Sequence, residues 1–252
     1  MVCTVHVYDK PKLNNPILIE GLPGIGFVAN ISALHLIHEL DAKLFAEITS
    51  SSFQDLTVTT GDGGTLSPIN KLYYCVRSDG GQDLILWYGN TQALTTFGQY
   101  ELCGRILDLI EGLGCRFIVT LGGYKIEVTK EKPQIYCAAT DAETLKVALD
   151  LDTKVMVGQI FGLAGITLGL AQLRTLKGFS LLVETPGTEP DLKAARLALI
   201  ALTKFLNLKV DVKNLEKATE ETRKVLESFG LITRHGKPEE KKREETQFRW
   251  YG

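Results

Sequence analysis

An excess of charge of either sign is missing from this sequence. Its 28 Lys and Arg nearly balance 30 Asp and Glu, giving a formal net charge of −2 over 252 residues. No long-range field therefore gathers nucleic acid or anionic lipid. The basic residues are scattered and no basic–aromatic RNA-binding signature occurs, so nucleic acid is not an expected partner. Cysteine is sparse: Cys3, Cys75, Cys103, Cys115 and Cys137 are an odd number, widely spread, with no Cys-x-x-Cys pair. That excludes a disulfide framework and a cysteine zinc site as readings. Cys75 and Cys137 each follow a tyrosine in an apolar segment, where a reduced thiol serves as a small hydrophobe. The opening residues MVCTVHVYDK reach Asp9 and Lys10 without a long apolar stretch and do not read as a signal peptide. The expected compartment is the cytoplasm.

An uninterrupted apolar run of membrane length is also missing. The nearest approach, VMVGQIFGLAGITLGLAQL (Val155 to Leu173), is broken by Gln159, Thr167 and Gln172, and Gly158, Gly162, Gly165 and Gly169 recur every three or four residues. With no second candidate and no aromatic belt, it reads as a Gly-faced loop and helix packed closely on a neighbour, not as a membrane span. Catalytic signatures are absent as well. No Ser stands in G-x-S-x-G, no Cys has an obvious His partner, and no Gly-Lys-Ser/Thr P-loop occurs. His35 and His38 stand three apart on a helical stretch, but the zinc-protease order His-Glu-x-x-His is not met and His6 and His235 lie at the ends. They read as polar-face or interface histidines. Asp55, Asp62, Asp79 and Asp83 fall in turn-rich segments, where Asp is favoured for backbone reasons. The expectation is a chain that is not an enzyme, with no cofactor and no metal.

What is present is an ordinary core composition, 44% hydrophobic and 23% charged, in a chain at the upper edge of one domain. Strand-like and helix-like segments alternate. Pro16–Gly21, Lys43–Ile48, the CRFIVTLGG run and FSLLVET read as buried strands. KLYYCVR and DLILWYG form a hairpin about Ser78–Gly81, and QIYCAAT is a further strand. Helices are expected over Phe27–Leu40, about Thr95–Glu111, after a capping box at Thr140–Glu143, and from Pro190 to about Leu206. The alternation predicts an α/β three-layer domain with a mixed β-sheet, because hairpins intrude among crossover units. We assign residues 1–210 to this core. Residues 211–230 form a C-terminal helix with Leu215, Ala218, Thr222, Val225, Leu226 and Phe229 on one side. Residues 231–252 form a charged, mobile tail.

Two places carry a candidate site. The loop Gly21-Leu22-Pro23-Gly24-Ile25-Gly26 joins a strand to a helix, and Glu47 ends the next strand where a ribose-binding carboxylate is expected. A nucleotide- or phosphate-binding enzyme is the alternative reading that this suggests. Yet the spacing is G-x-x-G-x-G with Pro23 inside, not G-x-G-x-x-G, so Gly21, Pro23, Gly24 and Gly26 read first as a tight turn with close helix–strand contact. The second place is the C-terminus, where a charged run ends in Phe248, Trp250, Tyr251 and Gly252. A solvated tail gains nothing from aromatics, which are the usual anchors at interfaces. A short aromatic peptide with a free carboxylate suits a pocket offering a Lys and backbone donors.

EGLPGIGFVANISALHLIHELDAKLFAEI, LWYGNTQ (Leu86 to Gln92), VTLGG (Val119 to Gly123) and GQIFGLAGITLGLAQLRTLKGFSLLVETPGTEPDLKAARLAL resemble the proteasome assembly chaperone 2 family, over roughly Asn15 to Gly230. The resemblance implies a fold similar to the nucleoside phosphorylase and hydrolase-like architecture, and no established enzymatic activity. It implies homo-oligomers among archaeal homologues, a tetramer or pentamer here, and proteasome core particle α-subunits as partners. Some members carry a C-terminal hydrophobic–tyrosine–any-residue (HbYX) motif and act as ATP-independent proteasome activators; Trp250-Tyr251-Gly252 matches that motif position by position. An ATP-grasp ligase label once given to some members finds no Lys or metal-carboxylate pattern here. The 19 residues from Leu231 to Arg249 span about 24 Å as a flexible coil and about 60 Å at full stretch.

Overall fold

A computed structural model describes residues 3–128, 131–230 and 232. Its elements are β1 (Cys3–Val7), β2 (Ile17–Gly21), α1 (Val28–Glu39), β3 (Lys43–Ser50), β4 (Val58–Thr59), β5 (Thr65–Leu66), β6 (Asn70–Cys75), β7 (Leu84–Gly89) and α2 (Thr96–Gly112). They continue with β8 (Phe117–Lys125), β9 (Ile135–Ala139), α3 (Ala142–Leu149), β10 (Lys154–Val155), α4 (Gly162–Leu173), β11 (Lys177–Thr185), α5 (Leu192–Leu206) and α6 (Glu216–Ser228). Among these, nine strands form one mixed sheet in the order β1-β3-β6-β7-β2-β8-β11-β9-β10, and β4 and β5 form a separate small ribbon.

The middle of the sheet is parallel, with β7, β2, β8 and β11 running together, and antiparallel pairs flank it. Alternation along β2 shows why both faces are covered. Ile17 and Ile19 pack beneath α1, α3, α5 and α6, while Leu18 joins the core under α2 and α4. The result is the expected three-layer α/β domain with a mixed sheet. Strands buried on both faces read as continuous apolar runs, as ILIEG and FIVTLGG do.

Several local expectations shift. The helix after β9 is capped by Asp141, not Thr140: the Asp141 carboxylate accepts from the Thr144 amide at 2.8 Å. Thr140 Oγ1 instead accepts from the Gly178 amide at 3.0 Å, and Glu143 pairs with Lys177 at 2.6 Å. Pro190 precedes the cap of α5, which is Asp191. The glycines of α4 are not its sheet-facing side, which is Leu163, Thr167, Leu168 and Ala171: Gly165 packs closely on the Ile160 backbone, where a Cβ would clash, and a Cβ on Gly169 would meet nothing within 4 Å.

The C-terminal helix starts at Glu216 and packs on α1. Its buried side is Leu215, Ala218, Thr222, Leu226 and Phe229. His35 is buried, not on a polar face; its Nε2 lies 2.7 Å from the Asp211 carbonyl and donates to it, tying the approach to α6 onto α1. His38 reaches Glu221 of α6 at 3.4 Å.

Candidate functional site

The strands β2, β7, β8 and β11 end along one edge, the carboxyl edge where open α/β sheets place their sites. The chain leaves β2 for α1 on one face and leaves β7 for α2 on the other, which opens a crevice between them. Four sequence segments converge here: the Gly21–Gly26 loop, Asn90–Gln92, the end of β8, and Thr185–Asp191.

Each segment is held by specific bonds. A Cβ on Gly21 would stand 2.1 Å from the Ala33 Cβ, so glycine lets α1 settle on the end of β2. Asn30, buried on α1, donates from Nδ2 to the carbonyls of Gly21 (3.2 Å) and Gly89 (2.8 Å), joining the ends of β2 and β7. Gly26 has φ of 63°, and Thr185 fills the space beside it. The Asp191 amide donates to the Gly26 carbonyl at 2.9 Å, while Thr185 Oγ1 donates to Asp191 Oδ2 at 2.7 Å. The Gln92 side chain donates to the Pro23 carbonyl and accepts from the Leu163 amide at 3.4 Å, linking the loop to the start of α4.

The loop does not resemble a nucleotide cradle in this setting. The first residues of α1, Val28, Ala29 and Asn30, are buried. The acid next to the loop is Glu20, where a phosphate calls for a cation. Glu47 is not beside it: β6 and β7 stand between β3 and β2. Glu47 accepts from Tyr8 Oη at 2.7 Å and pairs with Lys71 at 3.1 Å, and these contacts hold its carboxyl below the usual range.

Within the crevice lies a cavity of about 450 Å³ between the ends of β2 and β8, the loop, and the Gln159–Ala164 stretch entering α4. Leu22, Ile25, Leu121, Ile160, Phe161 and Leu182 give it apolar walls, with Gln92, Tyr124 and Lys125 as polar neighbours. Glu20 lines it too, 1% exposed. Glu20 Oε1 accepts from the Leu22 amide at 3.1 Å, but Oε2 has no hydrogen-bond partner among the described residues. Burial pushes the carboxyl up to about 8, opposed by the Leu22 and Leu121 amides. In register beside it stand Thr120 on β8 and Ser180 on β11, whose hydroxyls are also buried without a partner among the described residues. Glu184, also buried, is different: it accepts from the Gln134 amide and from Tyr136 Oη.

Glu20 is the residue that sequence reasoning passed over. The signal is a lone carboxyl in the otherwise apolar strand ILIEG, which the sequence pattern absorbs into a buried strand. Trp250, Tyr251 and Gly252 lie outside the described residues. No group of three His, Cys, Asp or Glu among the described residues is placed to hold a metal, and no described helix is long and apolar enough to cross a membrane.

The fold is a mixed α/β sheet whose glycine-rich β2–α1 loop interlocks with a Thr-Pro-Gly turn after β11. The PAC2 family model matches residues 18–229, and the chain belongs to that family. Among solved structures it is similar to Pyrococcus furiosus PbaB, an archaeal proteasome activator, at 35% identity and a TM-score of 0.81, covering 91% of this chain and 99% of that one. It is also similar to PbaA of the same organism, an archaeal homolog of proteasome-assembly chaperone, at 27% identity and a TM-score of 0.73, covering 89% and 94%. An uncharacterized protein of Methanocaldococcus jannaschii is 34% identical over 230 residues, 90% of this chain and 88% of that protein.

Proposed function

We propose that this protein docks on the α-ring of the proteasome core particle through Trp250-Tyr251-Gly252 and activates it without ATP. The observation that carries the reading is the 35% identity, across nearly the whole of both chains, to a protein described as an archaeal proteasome activator. The tail supplies the chemistry: Tyr251 and the Gly252 carboxylate enter pockets between α-subunits, and Trp250 adds apolar contact. A three-residue anchor binds weakly by itself, so several tails presented by one homo-oligomer, a tetramer or pentamer, raise the affinity through effective concentration. Bound tails favour the open gate by binding that state more tightly. Self-association has apolar surface to draw on: Phe97 of α2, Phe161 at the start of α4 and Leu173 at its end are 67%, 79% and 80% exposed.

Deleting Trp250 to Gly252 is expected to abolish co-sedimentation with the core particle and stimulation of peptide hydrolysis, while the oligomer persists by light scattering. Stimulation that survives the deletion would overturn the reading. The similarity to PbaA favours a second role, in which the folded body contacts free α-subunits during assembly. Adding the protein during core-particle assembly in one arm, and after it in another, separates the two roles.

A further inference from the structure

We propose that the cavity at the end of β2 is a binding site for a small apolar amine, with Glu20 as the carboxylate that receives its ammonium group. Three independent observations meet there. The cavity, at about 450 Å³, holds a molecule of several carbons behind mainly aliphatic and aromatic walls. It lies at the carboxyl edge of the parallel strands, the usual place for ligands in such sheets. Glu20 is among the residues that line it, and its buried carboxyl has one oxygen bonded to a backbone amide and the other without a partner among the described residues.

The chemistry of the occupant follows from what that oxygen lacks. A carboxylate in apolar surroundings is costly unless paired and hydrogen-bonded. A phosphate or carboxylate ligand would require Glu20 to stay protonated and would bind less tightly as the pH rises, the opposite of an ammonium ion, and a hydrocarbon would leave Oε2 unsatisfied. An ammonium group brings the opposite charge and N–H donors, and an apolar body fills the rest. The ionisable groups around Glu20 agree with this assignment. Cys103 from α2 is held as a neutral thiol, pushed up to about 12 by burial, and α4 carries no ionisable residue. Tyr124 and Lys125 from β8 line the cavity, and Lys125 is exposed.

At neutral pH the free carboxyl holds a proton, as its raised pKa requires. Binding an ammonium ion displaces that proton, so affinity rises with pH until the amine itself deprotonates.

The test is isothermal titration of the full chain with 3-methylbutylamine, and with 3-methylbutanol, 3-methylbutanoate and leucine in parallel. The amine is expected to bind about tenfold more tightly at pH 8 than at pH 6.5, with proton release seen as buffer-dependent heat. Glu20→Gln is expected to weaken it at least ~10-fold, the loss of a charge-assisted hydrogen bond. Ala164→Phe, which fills the cavity and leaves Glu20 in place, is expected to weaken it as well. Leucine binding more tightly than the amine assigns an amino acid; the reverse assigns a simple amine. The proposal is overturned if the amine does not bind, if the alcohol or the carboxylate binds equally well, or if both variants retain full affinity. Loss of the last three residues is expected to leave amine binding unchanged, which keeps this test separate from proteasome docking.

Discussion

Glu20 makes the stability of this protein depend on pH in an unusual direction. Its folded pKa, about 8, lies above the ordinary 4.5, so the folded state holds a proton that the unfolded chain releases. Its contribution is fully present below about pH 4.5 and is lost as the pH rises through 8. A glutamine keeps the shape and carries no charge to desolvate, so Glu20→Gln is expected to stabilise the protein at pH 8. The gain is on the order of a few kcal/mol, and it should shrink towards pH 5. Urea melts of both proteins at the two pH values check this, and a constant difference would refute the buried-acid account. The sequence hides such a residue because a single Glu at a strand end is ordinary on a polar face. Only the register that sets Glu20 beside Thr120 and Ser180, under α2 and α4, removes it from water.

Among the elements, glycines divide by what surrounds them, and spacing alone does not sort them. Gly21, where α1 touches β2, has the Ala33 Cβ 2.1 Å from where its own would be, whereas Gly169 on α4 faces open space. Gly21→Ala is expected to destabilise by about 1–3 kcal/mol through overpacking. Gly169→Ala is expected to stabilise by up to about 1 kcal/mol, because alanine is the better helix former. Opposite shifts in the urea midpoint at unchanged m-value are the expected result.

The close contact at Gly21 was legible because the loop G-x-x-G-x-G joins a buried strand to an apolar helix. The packing of α4 was not legible, since its glycine period is carried on a side that the sheet does not cover. The central strands were readable from their apolar runs and the β6–β7 hairpin from its Ser-Asp-Gly-Gly turn. By contrast, β1 carries no local signal. CTVHV is short and partly exposed, and it is a strand because its backbone pairs with β3 from Cys3↔Ser50 to Val7↔Ala46. That partner lies some forty residues away, beyond any local pattern. β10 pairs at only two positions, Lys154 and Val155, too few for a period to register.

For the molecule as a whole, the question is where the folded body stops and the proposed docking segment begins. The stripe on α6 permits packing either on its own domain or on another subunit, and the contacts decide for its own. Besides the His35–Asp211 bond, Arg196 donates to the carbonyls of Val212 (3.2 Å) and Lys213 (3.0 Å), and Arg223 pairs with Glu189 at 2.9 Å. Leu215, Ala218 and Leu226 are buried beside them.

Two truncations then behave differently. A chain ending at Gly230 keeps all these contacts, so its melting temperature is expected to fall within a few degrees of the full chain, a difference below about 1 kcal/mol. A chain ending at Val210 uncovers α1, strands His35 without its acceptor and bares several apolar side chains, each worth about 1.5–3 kcal/mol when fully buried. It is expected to be unfolded or aggregated. If instead the shorter chain melts like the full one, α6 belongs to a separate unit or to a neighbouring subunit. The chain ending at Gly230 carries the functional half of the same argument, for it keeps the fold and the Glu20 cavity but lacks Trp250-Tyr251-Gly252. It is expected to bind the amine and to leave proteasome peptide hydrolysis unstimulated, which would assign the two activities to two parts of one chain.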